Sequence, residues 1–128
     1  MIVAAGNGCI RGFMDKFEMA ERTKQFALGI MGLAETLPRS RSGMTIGNQI
    51  VRSGTSVAAN YRAALRGRSK AKFISKVGTV LEEADETLFW LEMVEEAGLL
   101  TPDQIEALKT EADALVRIFN KTRSSAQS

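Results

Sequence analysis

The chain of 128 residues contains no histidine, and this absence excludes several kinds of catalytic and metal site. Histidine is the commonest general base and the commonest metal ligand, so Ser-His-Asp, Cys-His and Glu-x-x-His di-iron sites are excluded. The single cysteine, Cys9, excludes a disulfide framework and a zinc site made of thiolates. Only 2 prolines and 6% aromatic residues disfavour a β-sandwich or a barrel. We therefore expect a protein that is not an enzyme and holds no cofactor or metal.

The length fits a single domain that can bury a core, with ends that differ from the rest. The first residues are glycine-rich around Cys9 and lack the basic start and long apolar segment of a signal peptide. The longest apolar stretch, 26–34, is too short to span a membrane. We expect a loosely ordered leader over 1–16, a folded domain over 17–123 and a frayed tail over 124–128, in the cytoplasm.

Four segments carry apolar side chains at helical spacing, and no segment alternates with the period of a strand. In the last segment the apolar positions recur at steps of three and four: Ile105, Leu108, Ala112, Leu115 and Phe119. Thr101, Pro102 and Gln104 are the residues of a helix start with a capping box. Pro38, a polar turn over 39–43, Gly67 and Gly98 separate the segments. Because these connections are short, the sequence predicts an all-α, antiparallel up-down-up-down four-helix bundle.

The net charge of +2 conceals two blocks of opposite sign. Residues 36–81 contain nine bases and no acid, whereas residues 82–113 contain 11 acids and one base, Lys109. In an antiparallel bundle the turn at Gly67 and the C-terminal segment lie at the same end. That basic end has these predicted members: Arg62, Arg66, Arg68, Lys70, Lys72, Lys76, Lys121 and Arg123.

Two interpretations of the basic end compete. It either binds the phosphates of a nucleic acid or forms a solvated face with ion pairs between subunits. Its aromatic residues, Tyr61 and Phe73, fall on core stripes, so the sequence offers no platform on which a single strand could stack. Any nucleic-acid binding should therefore be to the backbone and sensitive to salt.

Two polar residues of the second helix are predicted to act structurally. Arg52 falls level with about residue 83 across the hairpin, which favours an ion pair with Glu82, Glu83 or Glu86. Asn60 is either a buried polar residue that fixes the register of the helices or a capping or exposed residue.

The third helix is apolar nearly all round from Phe89 to Met93, with Trp90 off the main stripe. Such a stretch is buried on more than one side, which indicates either a subunit interface or a thick core at that level. The methionines, Met31 and Met44 among them, are interpreted as core.

The stretch RSGTSVAANYRAALRGRSKAK (52–72), followed by FISKVGTVLEEADETLFWL (73–91), closely resembles the four-helix-bundle family of the 23S ribosomal RNA intervening-sequence proteins. RTKQFALGIMGLAETLP in the first helix and GLL before the fourth also match, so the resemblance covers about residues 17–121. The resemblance implies a bacterial homopentamer. A related branch, the accessory proteins of diversity-generating retroelements, is a basic pentamer that binds nucleic acid and the reverse transcriptase. This sequence departs from many members in having Lys72 where they have an acid, and from that branch in its acidic third helix.

Carried onto this chain, the resemblance assigns nucleic-acid binding to the basic positions from Arg62 to Lys76. It also makes small residues of the second helix, Gly54 and Ala58, candidates for a ring interface, with Phe89, Trp90 and Met93 as a second candidate surface. The leading hypothesis is a homo-oligomer that binds RNA or DNA backbone. The alternative is a protein-interaction oligomer, an accessory subunit of an unlinked partner with no nucleic-acid binding. A small-molecule enzyme that uses carboxylates and lysines ranks last.

Overall fold

The computed structural model describes residues 15–128, which fold into four helices connected by short turns. They are α1 (Lys16–Glu35), α2 (Arg41–Leu65), α3 (Lys70–Glu96) and α4 (Pro102–Gln127). This part of the chain contains no strand. Each helix packs against the next along the chain, and α1 packs against α4, which closes the bundle. The predicted all-α, antiparallel four-helix bundle is confirmed.

The first helix begins at Lys16, one residue before the expected start of the folded domain. The Asp15 carboxylate accepts from the backbone N–H of Phe17 and Glu18, and the Glu18 carboxylate accepts from the backbone N–H of Asp15 at 3.0 Å. This reciprocal capping box starts α1 at Lys16, so that residue belongs to the bundle. Residues 1–14, including Cys9 and most of the expected leader, lie outside the described residues.

The turn predicted over 39–43 is wrong in its extent. Ser40 caps α2 by accepting from the backbone N–H of Gly43 at 3.1 Å, so the helix already begins at Arg41. A Cβ on Gly43 would lie 2.0 Å from the carbonyl oxygen of Pro38, and that close approach leaves room for glycine alone.

The other helix ends follow the sequence more closely. Ser69 caps α3 by accepting from the backbone N–H of Lys72 at 3.1 Å. At α4, the Gln104 side chain accepts from the backbone N–H of Thr101 at 2.9 Å. Gly98, with φ of 69°, ends the turn after α3 in the left-handed region. The expected tail over 124–128 is helical as far as Gln127, since neither proline nor glycine interrupts α4.

The four apolar stripes meet in one core. Its largest fully buried apolar side chains are Phe119, Ile30, Ile50, Leu91, Ile105, Leu115, Val57, Val77, Val80 and Val94. The interpretation of Met31 and Met44 as core is wrong, because they are 43% and 51% exposed. Met31 directly follows the buried Ile30 and therefore points about 100° away from it around the helix.

Two buried hydroxyls, and not Asn60, connect α2 to α3. Ser53 and Thr87 are fully buried, and their oxygens lie 2.8 Å apart. The Asn60 amide is half-buried and donates to the carbonyl oxygen of Ser56 in its own helix at 2.9 Å. This buried polar contact between the two helices therefore lies two turns earlier in α2 than Asn60.

Candidate functional site

The basic end brings together side chains from three helices. Arg62 and Arg66 lie at the C-terminal end of α2, Arg68 lies in the next turn, and Lys70, Lys72 and Lys76 lie in the first two turns of α3. Lys121 and Arg123 lie in the last turns of α4, and the Arg123 guanidinium lies close to Gly78 of α3. All eight are exposed except Arg123, which is half-buried. The antiparallel fold therefore gathers at one end the cations that the sequence analysis grouped.

These cations carry charge that the bundle does not neutralise by contact. None of the eight forms an ion pair with another residue between 15 and 128. By contrast, Arg22 binds Glu111 across α1 and α4 at 2.7 Å, and Lys109 binds Glu95 across α3 and α4 at 2.8 Å. The first turn of α3 also contains no acid, so the positive end of its helix dipole adds to the field.

Three acids at the start of α1, the capping Asp15 and two acids within the helix, lie at the same end and are engaged locally. Asp15 and Glu18 form the capping box, while Glu21 accepts from Gln25 at 2.8 Å and lies 3.7 Å from Lys24. Asp15 also contributes, after burial, to raising the pKa of Tyr61. The acids therefore serve the start of α1, while the cations of α2, α3 and α4 face solvent.

The two aromatic residues that the sequence placed at the basic end are not available for stacking. Tyr61 is buried, with its ring centroid 5.3 Å from that of Phe119, and Phe73 is half-buried. Both residues therefore pack in or against the core, as the sequence predicted.

A groove between α1 and α2 was not anticipated. It has a volume of about 770 Å³ and opens next to the basic end. Small side chains line it, namely Ala20, Ala27, Thr55, Ala58 and Ala59. Cationic side chains line it as well, namely Lys16, Lys24, Arg62 and Arg66. It also contains Phe17, which is 73% exposed. The signal in the sequence was the Asp15–Glu18 capping box, which places Lys16 and Phe17 in the first turn of α1.

Arg52 forms the centre of a polar cluster on the outside of α2 and α3. Its guanidinium contacts Glu83, with Nη1 3.2 Å from Oε1, and it donates to Glu86. The indole N–H of Trp90 donates to the same Glu86 carboxylate at 3.0 Å. These two hydrogen bonds, that from Arg52 first, lower the pKa of Glu86. Glu82, the third acid named from the sequence, is exposed and takes no part in this cluster.

The candidate interface residues divide into exposed and buried ones. Phe89 and Met93 are 48% and 38% exposed, and Trp90, half-buried, packs edge-on against Phe89 with ring centroids 5.0 Å apart. Ala58 is half-buried and lines the groove. The expectation that Gly54 lies at a ring interface is corrected, because this residue is buried within a single chain.

The reason that Gly54 is buried is the close approach of α1 to α2. A Cβ on Gly54 would lie 2.8 Å from Cγ2 of Ile30, a residue that is fully buried. The absence of a side chain on Gly54 therefore serves the packing of these two helices within one chain.

The described residues form neither a metal-ligand cluster nor a membrane-spanning helix. Between residues 15 and 128, no three cysteine, aspartate or glutamate side chains converge on a point where a metal ion could be held. None of the four described helices is long and apolar enough to cross a membrane.

Comparison with known proteins gives the family of the chain. Residues 15–121 match the family model of the 23S rRNA-intervening sequence protein. The chain belongs to this family. A crystal structure at 1.70 Å of a protein from Bacteroides thetaiotaomicron VPI-5482, described as a member of the S23 ribosomal protein family with unknown function, is 30% identical. The match covers 87% of this chain and 99% of that chain, with a TM-score of 0.80. Curated proteins give no match.

Proposed function

We propose that this protein is a non-enzymatic, cytoplasmic homo-oligomer that binds the backbone of RNA or DNA through its basic end. The observation that carries the proposal is the gathering of eight cations at one end, none of them in an ion pair within residues 15–128. Cations without a carboxylate partner repel one another, and a row of phosphates neutralises them. The basic end is thus suited to a polyanion.

The expected binding is driven mainly by charge. Lysine and arginine that neutralise phosphates release condensed counterions, so affinity should fall steeply with salt concentration. Contacts of this kind position a protein on the nucleic acid and carry no sequence information by themselves. We therefore propose a binder of backbone that shows little sequence preference.

The homo-oligomer is supported by apolar side chains at the surface. Leu28, Met31 and Met44 are exposed on α1 and α2, and Phe89 and Met93 on α3. Large exposed apolar patches mark protein contacts, and a subunit interface would cover these side chains. A pentamer, as the resemblance implies, would also carry five basic ends, and simultaneous binding would raise a weak affinity for phosphate.

The same apolar side chains favour the second candidate function. In it, the protein is an oligomeric accessory subunit, and an unlinked protein covers Phe89 and Met93. This alternative predicts that a defined protein co-purifies with the chain, and that neutralising the basic end changes nothing in that association.

The test compares the two ends of the bundle. Binding to a structured RNA is followed by fluorescence anisotropy at several salt concentrations for the wild type and for Arg66→Gln/Arg68→Gln. The matched control is Arg39→Gln/Arg41→Gln, which removes two exposed cations at the opposite end, one from the connection before α2 and one from the first residue of α2. We expect the first variant to weaken binding about tenfold or more and to lower the salt slope by about 1.4–1.8, and the control to change little.

Two results would overturn the proposal. One is no binding by micromolar wild-type protein at low salt, and the other is an equal effect of the two double variants. The oligomer is tested separately by light scattering, where a monomer at micromolar concentration contradicts it.

A further inference from the structure

Phe17 is the most exposed large apolar side chain in the described part of the chain, at 73%. It lies in the first turn of α1, where the capping box of Asp15 and Glu18 already starts the helix. The Nζ atom of Lys16 lies 5.4 Å from the centroid of its ring. Neither helix formation nor packing of the core therefore accounts for the exposure of this ring.

The surroundings of the ring combine open space with positive charge. Because alanine and threonine line much of the groove, its width is not filled by side chains of α1 or α2. Four cations line the groove, and its one acid, Glu21, is engaged by Lys24 and Gln25. An aromatic ring, a groove and an excess of cations thus occur together within about three turns of each helix.

We propose that this groove binds a single-stranded segment of nucleic acid, with a base stacked on the ring of Phe17 and phosphates bound by Lys16, Lys24, Arg62 and Arg66. The inference rests on the proposed function, since Arg62 and Arg66 belong to the basic end. It adds to that function that the bound nucleic acid is single-stranded. The bases of a single strand expose their faces, whereas those of a duplex are stacked on one another, and base–aromatic stacking tolerates any sequence.

This ligand accounts for both components of the groove. Phosphate alone would use the cations and leave Phe17 in water, and an apolar segment alone would leave Lys16, Arg62 and Arg66 without a carboxylate partner. A single strand supplies a flat apolar face and a negative charge for each nucleotide, which matches a ring beside several cations.

The experiment measures three ligands with the full-length protein: an unstructured oligonucleotide of thymidine or uridine, a duplex of the same length, and inorganic polyphosphate. The variants are Phe17→Ala and Phe17→Tyr, with Arg39→Gln as the control, since Arg39 is exposed at the opposite end of the bundle. We expect Phe17→Ala to weaken binding of the single strand about tenfold and to change duplex and polyphosphate binding less than twofold. Phe17→Tyr should restore the affinity, and Arg39→Gln should leave it nearly unchanged.

A direct signal of stacking comes from Phe17→Trp. Its added fluorescence, measured relative to the wild type, should be quenched by the oligonucleotide and left unchanged by polyphosphate. The thymidine and uridine oligonucleotides distinguish DNA from RNA as the source of the bound strand.

Three outcomes overturn the inference. If Phe17→Ala binds all three ligands as the wild type does, the stacking is wrong while backbone binding stands. If the wild type binds none of the ligands, both proposals fail. If Phe17→Ala lowers the molar mass in solution or weakens all three ligands equally, Phe17 belongs to a subunit contact and the groove is not the proposed site.

Discussion

The hydroxyl oxygens of Ser53 on α2 and Thr87 on α3 lie 2.8 Å apart, with both residues fully buried. Thr87 Oγ1 also lies 2.7 Å from the carbonyl oxygen of Glu83, and Ser53 Oγ lies 3.3 Å from that of Ile50. Buried polar groups need partners, so this pair stabilises one register of the two helices over neighbouring registers.

We expect Thr87→Val, which keeps the shape of the side chain, to lower the free energy of unfolding by about 1–3 kcal/mol, because Ser53 is left with one long contact. The double variant Ser53→Ala/Thr87→Val should cost less than the sum of the single variants. Urea denaturation of the wild type, the two single variants and the double variant gives a double-mutant cycle. Additive losses of stability would contradict a direct interaction between the two hydroxyls.

The carboxylate of Glu86 should report its titration through Trp90, the one tryptophan of the chain. Because hydrogen bonds from Arg52 and Trp90 lower the pKa of Glu86 in the folded state, its stabilising contribution is present above the ordinary glutamate pKa. That contribution is lost as the pH falls through the lowered value. We expect the tryptophan fluorescence to change with a midpoint below about 4.3, and Arg52→Gln to raise that midpoint. A midpoint that Arg52→Gln leaves unchanged would contradict this assignment, and Glu86→Gln serves as the control.

Gly54 and Gly32 provide a matched pair of glycine substitutions within helices. Gly54→Ala places its Cβ 2.8 Å from Ile30 Cγ2, and the buried, branched Ile30 has no space to move, so we expect a loss of about 1–3 kcal/mol. Gly32→Ala meets nothing within 4 Å and should gain about 0.5–1 kcal/mol by lowering the entropy of the unfolded chain. Thermal unfolding of both variants measures the difference, and equal shifts would show that α1 and α2 are not in close contact at Gly54.

The phenol of Tyr61, the one tyrosine, should ionise above the ordinary range. Burial first, and the carboxylate of Asp15 second, raise its pKa in the folded state. The stabilising contribution is therefore fully present below the unfolded pKa of about 10 and is lost as the pH rises through the folded value. Titration of the absorbance at 295 nm measures the folded pKa, which Asp15→Asn should lower slightly. A value at or below 10 would indicate that the ring is accessible to water.

The sequence predicted the eight cations of the basic end because their grouping depends on chain position and on antiparallel topology alone. It missed the contribution of α1. Lys16 was assigned to the leader, since the capping role of Asp15 was not recognised, and Lys24 lies in a stretch whose charges balance. It also missed Phe17, because an aromatic residue near a terminus gives no sign of its exposure until the neighbouring helix is in place.

The assignment of Phe89 and Met93 to a subunit interface stays a prediction, whereas that of Gly54 is corrected, because Gly54 is buried against α1 of its own chain. A small residue on a helix serves equally for contact with its own bundle or with another subunit, and spacing does not distinguish the two. The position of Ile30 decides the matter for Gly54, whereas Ala58, one turn further along α2, lines the open groove.

By itself, the sequence determined the number, order and direction of the helices and the segregation of charge, because periodicity, caps and short turns act over a few residues. The tertiary structure decided the rotation of each helix about its axis, since this depends on how all four apolar stripes interdigitate at once. That rotation buries Gly54, Ser53 and Thr87, exposes Met31 and Met44, and opens beside Phe17 the groove that the cations of α1 and α2 share.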